Sequence, residues 1–272
     1  MDTERIMDLA LQMSGFRGVP TDSGIWLPGK DIRRILFGLD ITTAELQIAL
    51  QRGFDLVIAH HPPEATLDAW QCYLRHVGLM EAAGVPRALA EASMADEIEG
   101  MQLRAHARNF EHTVSVARLI GMPFMNIHTP LDEIGRQRMQ AKMDDLATRN
   151  PKATVSDVLA ALTDFDEVRR AALPPFIACG TGDRPAGRVV VAHGALDIPN
   201  YAMLSAYFSH GTGTIVLLRI DQRDLGRLRQ EGRGAVVVVG HNAGDSVGIV
   251  PFVAALRELG QEVTTISGIL QA

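Results

Sequence analysis

Short apolar runs rich in valine and isoleucine recur along the chain, and most are followed by a stretch with helical spacing. Ile35–Leu39, Asp55–Ala59, Met122–Ile127, Arg188–Ala192, Thr214–Ile220, Ala235–Val239 and Val263–Ile266 are too short for buried helices and read as strands. Helices are expected at Ile6–Met13, Thr42–Arg52, Leu67–Ala83, Arg87–Ile120, Leu131–Thr148, Thr154–Leu162, Asn200–Phe208, Arg223–Arg229 and Gly248–Leu259. Thr42 with Glu45 three residues on is a capping-box pattern, and Gly53 ends that helix. Strand, helix and strand in succession is the unit of a parallel sheet. The fold class is therefore α/β, with two lobes of mostly parallel sheets flanked by helices. Asn150-Pro151 is a natural break. It suggests a first α/β lobe over 1–150 and a second α/β segment over 151–272, with interleaving of the two left open.

Composition excludes several classes. Of 272 residues, 47% are hydrophobic and 21% charged, so a sizeable core can form without staples. The net charge is −6, and basic residues cluster only in short pairs such as Arg33–Arg34 and Arg169–Arg170. Nucleic acid is not expected as the main partner. Cys72 and Cys179 are too few for a disulfide framework and read as free thiols in a reducing compartment. No apolar run approaches the roughly 20 residues that span a bilayer, and no signal peptide follows Met1. A soluble, cytoplasmic protein with no membrane partner is the expectation.

In parallel α/β sheets, ligands gather beyond the carboxyl ends of the strands. Those ends carry Asp40, then His60-His61-Pro62-Pro63, then His128-Thr129-Pro130-Leu131-Asp132, then Gly240-His241-Asn242-Ala243-Gly244-Asp245. With only nine histidines in the chain, that placement points to metal. Imidazole with carboxylate favours zinc, manganese, iron, nickel or cobalt over magnesium or calcium. Adjacent side chains diverge at a strand end, so His60 and His61 suit two neighbouring ions better than one. His241 and Asp245 can face one point, and Asp132 has two oxygens with which to bridge. Each motif alone also fits a plain loop or a helix cap; three strand ends together are far more specific. Asp40 is expected to support a ligand instead of being one, and His128 to give such support or transfer a proton. His193 and His210 also lie near strand ends but are not counted as ligands. His76, His106 and His112 are expected to face solvent or cap helices.

Leu39-Asp40-Ile41-Thr42 followed by a helix and Asp55-Leu56-Val57-Ile58-Ala59-His60-His61-Pro62 resembles the opening of the Nif-three-like family, some of whose members are labelled GTP cyclohydrolase 1 type 2-like. His128-Thr129-Pro130-Leu131-Asp132 resembles its His-Thr-Asn-x-Asp motif. Gly240-His241 through Asp245 and Gly248-Ile249 resembles its late Gly-His motif, in which Glu is the fourth residue after His. The resemblance implies two α/β lobes facing a cleft with a dinuclear metal site, held by His60, His61, Asp132, His241 and Asp245. It also implies ring-like homohexamers. Two positions depart from the pattern: Asp245 is one methylene shorter than Glu, and Pro130 stands where the family has Asn.

These features lead to a metal-dependent hydrolase with two divalent transition ions, acting on a small molecule, with nucleotides among the candidates. The alternative is a non-catalytic, metal-binding oligomer with a regulatory or scaffold role. A nucleotide-binding module is a weaker reading. Gly180-Thr181-Gly182-Asp183 and Gly211-Thr212-Gly213-Thr214 lack the full phosphate-binding patterns and read as turns.

Overall fold

The computed structural model describes residues 1–270. Its elements run α1 (Thr3–Ser14), β1 (Gly24–Leu27), β2 (Arg34–Gly38), α2 (Thr43–Gln51), β3 (Leu56–Ala59), α3 (Trp70–Tyr73) and α4 (Arg75–Ala82). There follow α5 (Arg87–Ala107), α6 (His112–Ile120), β4 (Phe124–Asn126), α7 (Thr129–Arg149), α8 (Val155–Thr163), α9 (Asp166–Arg169) and β5 (Phe176–Cys179). The chain continues with β6 (Arg188–Val191), α10 (Tyr201–Ser209), β7 (Thr212–Leu217), α11 (Gln222–Glu231), β8 (Ala235–Val238), α12 (His241–Glu258) and β9 (Glu262–Ile266).

The strands form two sheets, ordered β1-β4-β3-β2-β9 and β5-β8-β7-β6. Within each sheet the strands are parallel except one edge strand: β1 runs against β4, and β5 against β8. The α/β expectation therefore holds. The two sheets do not split cleanly at the Asn150-Pro151 break, because β9 returns to the first sheet beside β2, with Ile35 opposite Val263.

The helices α7 and α12 form the layer between the sheets. Leu131 and Ile134 of α7 join the core of the first sheet, whereas Met139 and Met143 join that of the second. In α12 the order is reversed. Ala243 and Val247 pack on the second sheet, and Ile249, Phe252, Val253 and Leu256 on the first. The two helices cross where each has a glycine. A Cβ on Gly248 would lie 2.0 Å from the Leu131 carbonyl oxygen and 3.0 Å from the Gly135 nitrogen, and one on Gly135 would lie 3.2 Å from the Gly248 nitrogen. The backbones touch there, and side chains are excluded.

Several elements depart from expectation. The helical stretch Arg87–Ile120 is two helices, α5 and α6, separated at Glu111 with φ of 65°. β1 and β5 are four-residue edge strands, each close to a proline and too short to stand out as an apolar run. The last long helix begins at His241, not Gly248. Gly244 and Gly248 disfavour helix locally, but Ala243, Gly244, Val247 and Gly248 are buried there, and packing overrides propensity. The capping box Thr42/Glu45 forms as the sequence predicts. No described helix is long and apolar enough to cross a membrane.

A methyl group on Gly248 cannot be accommodated without parting α7 from α12. Overpacking of this kind costs about 1–3 kcal/mol, more than the roughly 1 kcal/mol that Ala gains over Gly in a helix. Gly248→Ala is therefore expected to lower the unfolding free energy measured in urea. Gly135→Ala, whose contacts are looser, should be milder; equal and negligible effects would contradict the crossing geometry.

Candidate metal centre

The crossing sets two carboxylates beside each other. Asp132 lies three residues before Gly135 on α7, and Asp245 three before Gly248 on α12. Both are buried, Asp132 in the first turn of α7 and Asp245 at the start of the second turn of α12. A helix N-terminus favours negative charge, so the position of Asp132 suits an ionised side chain. Pro130 is accommodated in the first turn of α7, where no helical hydrogen bond from its nitrogen is needed.

Strand ends from both sheets bring imidazoles to these carboxylates. His60 and His61 follow β3, His128 follows β4, His193 lies beyond β6, and His241 opens α12 after β8. His60 Nε2 is 3.2 Å from Asp132 Oδ1 and 3.8 Å from Asp245 Oδ2. His61 Nε2 and His241 Nε2 each lie 3.3 Å from Asp245 Oδ2. His128 Nε2 is 3.6 Å from Asp132 Oδ2, and His193 Nε2 is 3.4 Å from Asp132 Oδ1. Three groups have ligand atoms mutually within 4.8 Å: His60, His61 and His128; His61, His241 and Asp245; and His60, Asp132 and Asp245. Asp245 belongs to two of the three. The five residues expected as ligands, together with His128, thus lie at one place.

Further hydrogen bonds fix the rings. His60 Nδ1 lies 3.1 Å from the Ile127 carbonyl oxygen. A carbonyl can only accept, so Nδ1 carries a proton. His60 Nε2 is thereby turned toward Asp132. The contact is close, yet neither His60 Nε2 nor Asp132 Oδ1 has a hydrogen-bond partner, and His193 Nε2 has none either. Asp40 Oδ1 is 2.7 Å from His61 Nδ1 and turns the other ring nitrogen toward Asp245. His128 Nδ1 is 2.7 Å from Asp22 Oδ2, which also accepts from the Thr129 hydroxyl, while the His128 backbone N–H donates to Ser23.

The electrostatics follow from burial and crowding. Burial opposes ionisation of Asp132, but His128, His193 and His60 outweigh it and hold the carboxyl far below its usual range. Asp245 is likewise held low against burial, by His61, His60 and His241. Burial would lower the pKa of His128, but Asp132, Asp22 and Asp245 raise it to about 9. His241, half exposed at the cleft, is shifted down by burial.

Sequence reasoning missed Asp22, which precedes an edge strand and so lies outside the carboxyl-end rule. It set aside His193, although the strand-end signal was present. His210 does not reach the cluster; its Nδ1 bonds the Ala206 carbonyl at the end of α10. His76 is not a surface residue: it is fully buried, with Nε2 2.8 Å from the Asp197 carbonyl oxygen, and so props the loop that leads from His193. His106 and His112 are exposed as expected. The loop is also tied to α7: Arg75 donates to the Gly194 carbonyl and pairs with Glu133, the neighbour of Asp132.

The molecule is thus of a definite class: a two-sheet α/β protein with an imidazole–carboxylate cluster where the sheets meet. The model of the Duf34/NIF3 (NGG1p interacting factor 3) family matches residues 20–65. A NIF3 superfamily protein from Sphaerobacter thermophilus is 41% identical, with 98% of each chain covered and a TM-score of 0.95. The chain belongs to the NIF3 superfamily. The fold is shared more distantly with reduced HcgD from Methanocaldococcus jannaschii, at 13% identity, 97% coverage of both chains and a TM-score of 0.59. It is also shared with the hypothetical protein SA1388 of Staphylococcus aureus, at 11% identity, with 98% of this chain and 96% of that chain covered, and a TM-score of 0.52. Comparison with curated proteins gives no match.

The buried His76 makes the folded protein sensitive to acid. Burial lowers its pKa from 6.5 to about 4. Between these values the unfolded chain binds a proton that the folded protein refuses, so stability falls as pH drops through this window. His76→Gln keeps a side-chain N–H donor but cannot titrate. Urea titrations at pH 7 and pH 5 are expected to show a smaller loss for the variant; an unchanged difference would contradict this role.

Proposed function

We propose that the cluster holds two divalent transition-metal ions and that the protein is a metal-dependent hydrolase of a small molecule. One observation carries the metal reading: His60 Nε2 and Asp132 Oδ1 face each other, buried, at 3.2 Å, and neither has a hydrogen-bond partner. A ring nitrogen and a carboxylate oxygen buried in that arrangement suit a cation held by both. Asp245, common to two of the groups, supports a pair of ions sharing one carboxylate. His60, Asp132 and Asp245 would hold one, and His61, His241 and Asp245 the other. The donor set of nitrogen and oxygen suits zinc, manganese, iron, nickel or cobalt. Bound there, such a pair supplies a nucleophile at neutral pH and a Lewis acid for a substrate oxygen.

The chain's own residues prepare that chemistry. Ile127 and Asp40 fix the protons of His60 and His61 on Nδ1, leaving Nε2 free to ligate. Asp22 holds His128 through its Nδ1, and His128 lines the cavity beside the cluster together with His61 and His241. His128 Nε2 is thereby placed to take or give a proton at the cluster's edge.

Elemental analysis of protein purified without chelator tests this. About two transition ions per chain are expected in the parent, and most should be lost in the double variant His60→Ala, His241→Ala. A parent that stays empty after incubation with zinc, manganese and iron would end the metal reading.

A further inference from the structure

The cluster opens on a cavity of about 330 Å³ whose far walls take no part in holding the His and Asp side chains. That volume lies at the small end of the range for small-molecule sites, roughly 300–1,000 Å³. Its lining is of two kinds. Leu67, Trp70 and Met101 give an apolar face, from the segment after β3 and from α5. Arg104, Arg108 and Arg219 bring three guanidinium groups, against one lining carboxylate, Asp197. Arg219 pairs with Asp197, and Arg104 pairs with Glu97 at 2.7 Å. Arg108, at the end of α5, has no ion pair among the described residues.

We infer that this cavity binds a small organic anion: a flat apolar body lying against Trp70, with a phosphate or carboxylate group met by Arg108 and flanked by Arg104. The inference names the substrate class of the site proposed above. It rests on that reading for the reaction, while recognition of the anion rests on the arginines alone. A guanidinium without an ion pair at the rim of a cavity gains a charge-assisted hydrogen bond from an anion and nothing comparable from a neutral ligand. The indole face offers a rigid surface for a planar group. The three histidines His61, His128 and His241 share the wall of the same cavity, so a bound anion would lie next to the cluster.

Isothermal titration calorimetry with phenylphosphonate, benzoate, inorganic phosphate and benzyl alcohol tests the inference, with the metal content of each sample measured in parallel. Phenylphosphonate, which has no hydrolysable ester, or benzoate is expected to bind and benzyl alcohol not to. The tighter of the two anions identifies the phosphate or carboxylate class. Arg108→Ala should weaken the anion by about tenfold with metal content unchanged. Trp70→Ala should weaken phenylphosphonate but not inorganic phosphate. Benzyl alcohol binding as well as the anions, no anion binding at millimolar concentration, or indifference to Arg108→Ala would overturn the inference, even if two ions are present. Binding that depends on Arg108 in protein that takes up no metal would keep the anion site and overturn the metal reading instead.

Discussion

The close crossing of α7 and α12 is the contact on which the rest depends. Two helices can approach backbone to backbone only where neither projects a side chain, and Gly135 and Gly248 meet that condition. Each helix packs one half on one sheet and the other half on the second, so the crossing fixes how the sheets face one another. It also places Asp132 and Asp245, each three residues ahead of its glycine, in the same buried space. A site with donors from both sheets is possible because this layer is shared.

Burying two carboxylates so close together is costly unless cations compensate them. The chain surrounds them with five imidazoles and directs the outer nitrogens of at least three to acceptors: the Ile127 carbonyl, Asp40 and Asp22. What remains inward is a set of nitrogen and oxygen atoms, of which His60 Nε2, Asp132 Oδ1 and His193 Nε2 have no hydrogen-bond partner. A packed core would normally satisfy such atoms with one another. Here the outer bonds hold the rings in place while the inner atoms stay available.

The strand ends were legible because parallel strands buried on both faces need unbroken apolar runs, and the polar residue that ends each run is conspicuous. His60, His61, His128, His241, Asp132 and Asp245 could all be found in this way. The edge strands β1 and β5 were not visible, since each is four residues long and is held as a strand only by its neighbour. Asp22 was hidden for the same reason: it precedes β1, and its contact with His128 spans residues far apart in the chain. The first two turns of α12 were also hidden, because the glycines that argue against helix locally are the residues that the helix crossing requires.

Local pattern was enough to give the α/β class, the parallel core of each sheet and the residue types gathered at the strand ends. These follow from local periodicity and from the chemistry of single side chains. Long-range packing set that β9 rejoins the first sheet, that His193 and Asp22 stand with the cluster while His210 does not, and that His76 is buried under a loop. It alone brought Arg104, Arg108 and Trp70 to face His61 and His241 across one cavity. Those outcomes depend on contacts between residues distant in sequence, which are set by how the layers pack and leave no periodic trace in the chain.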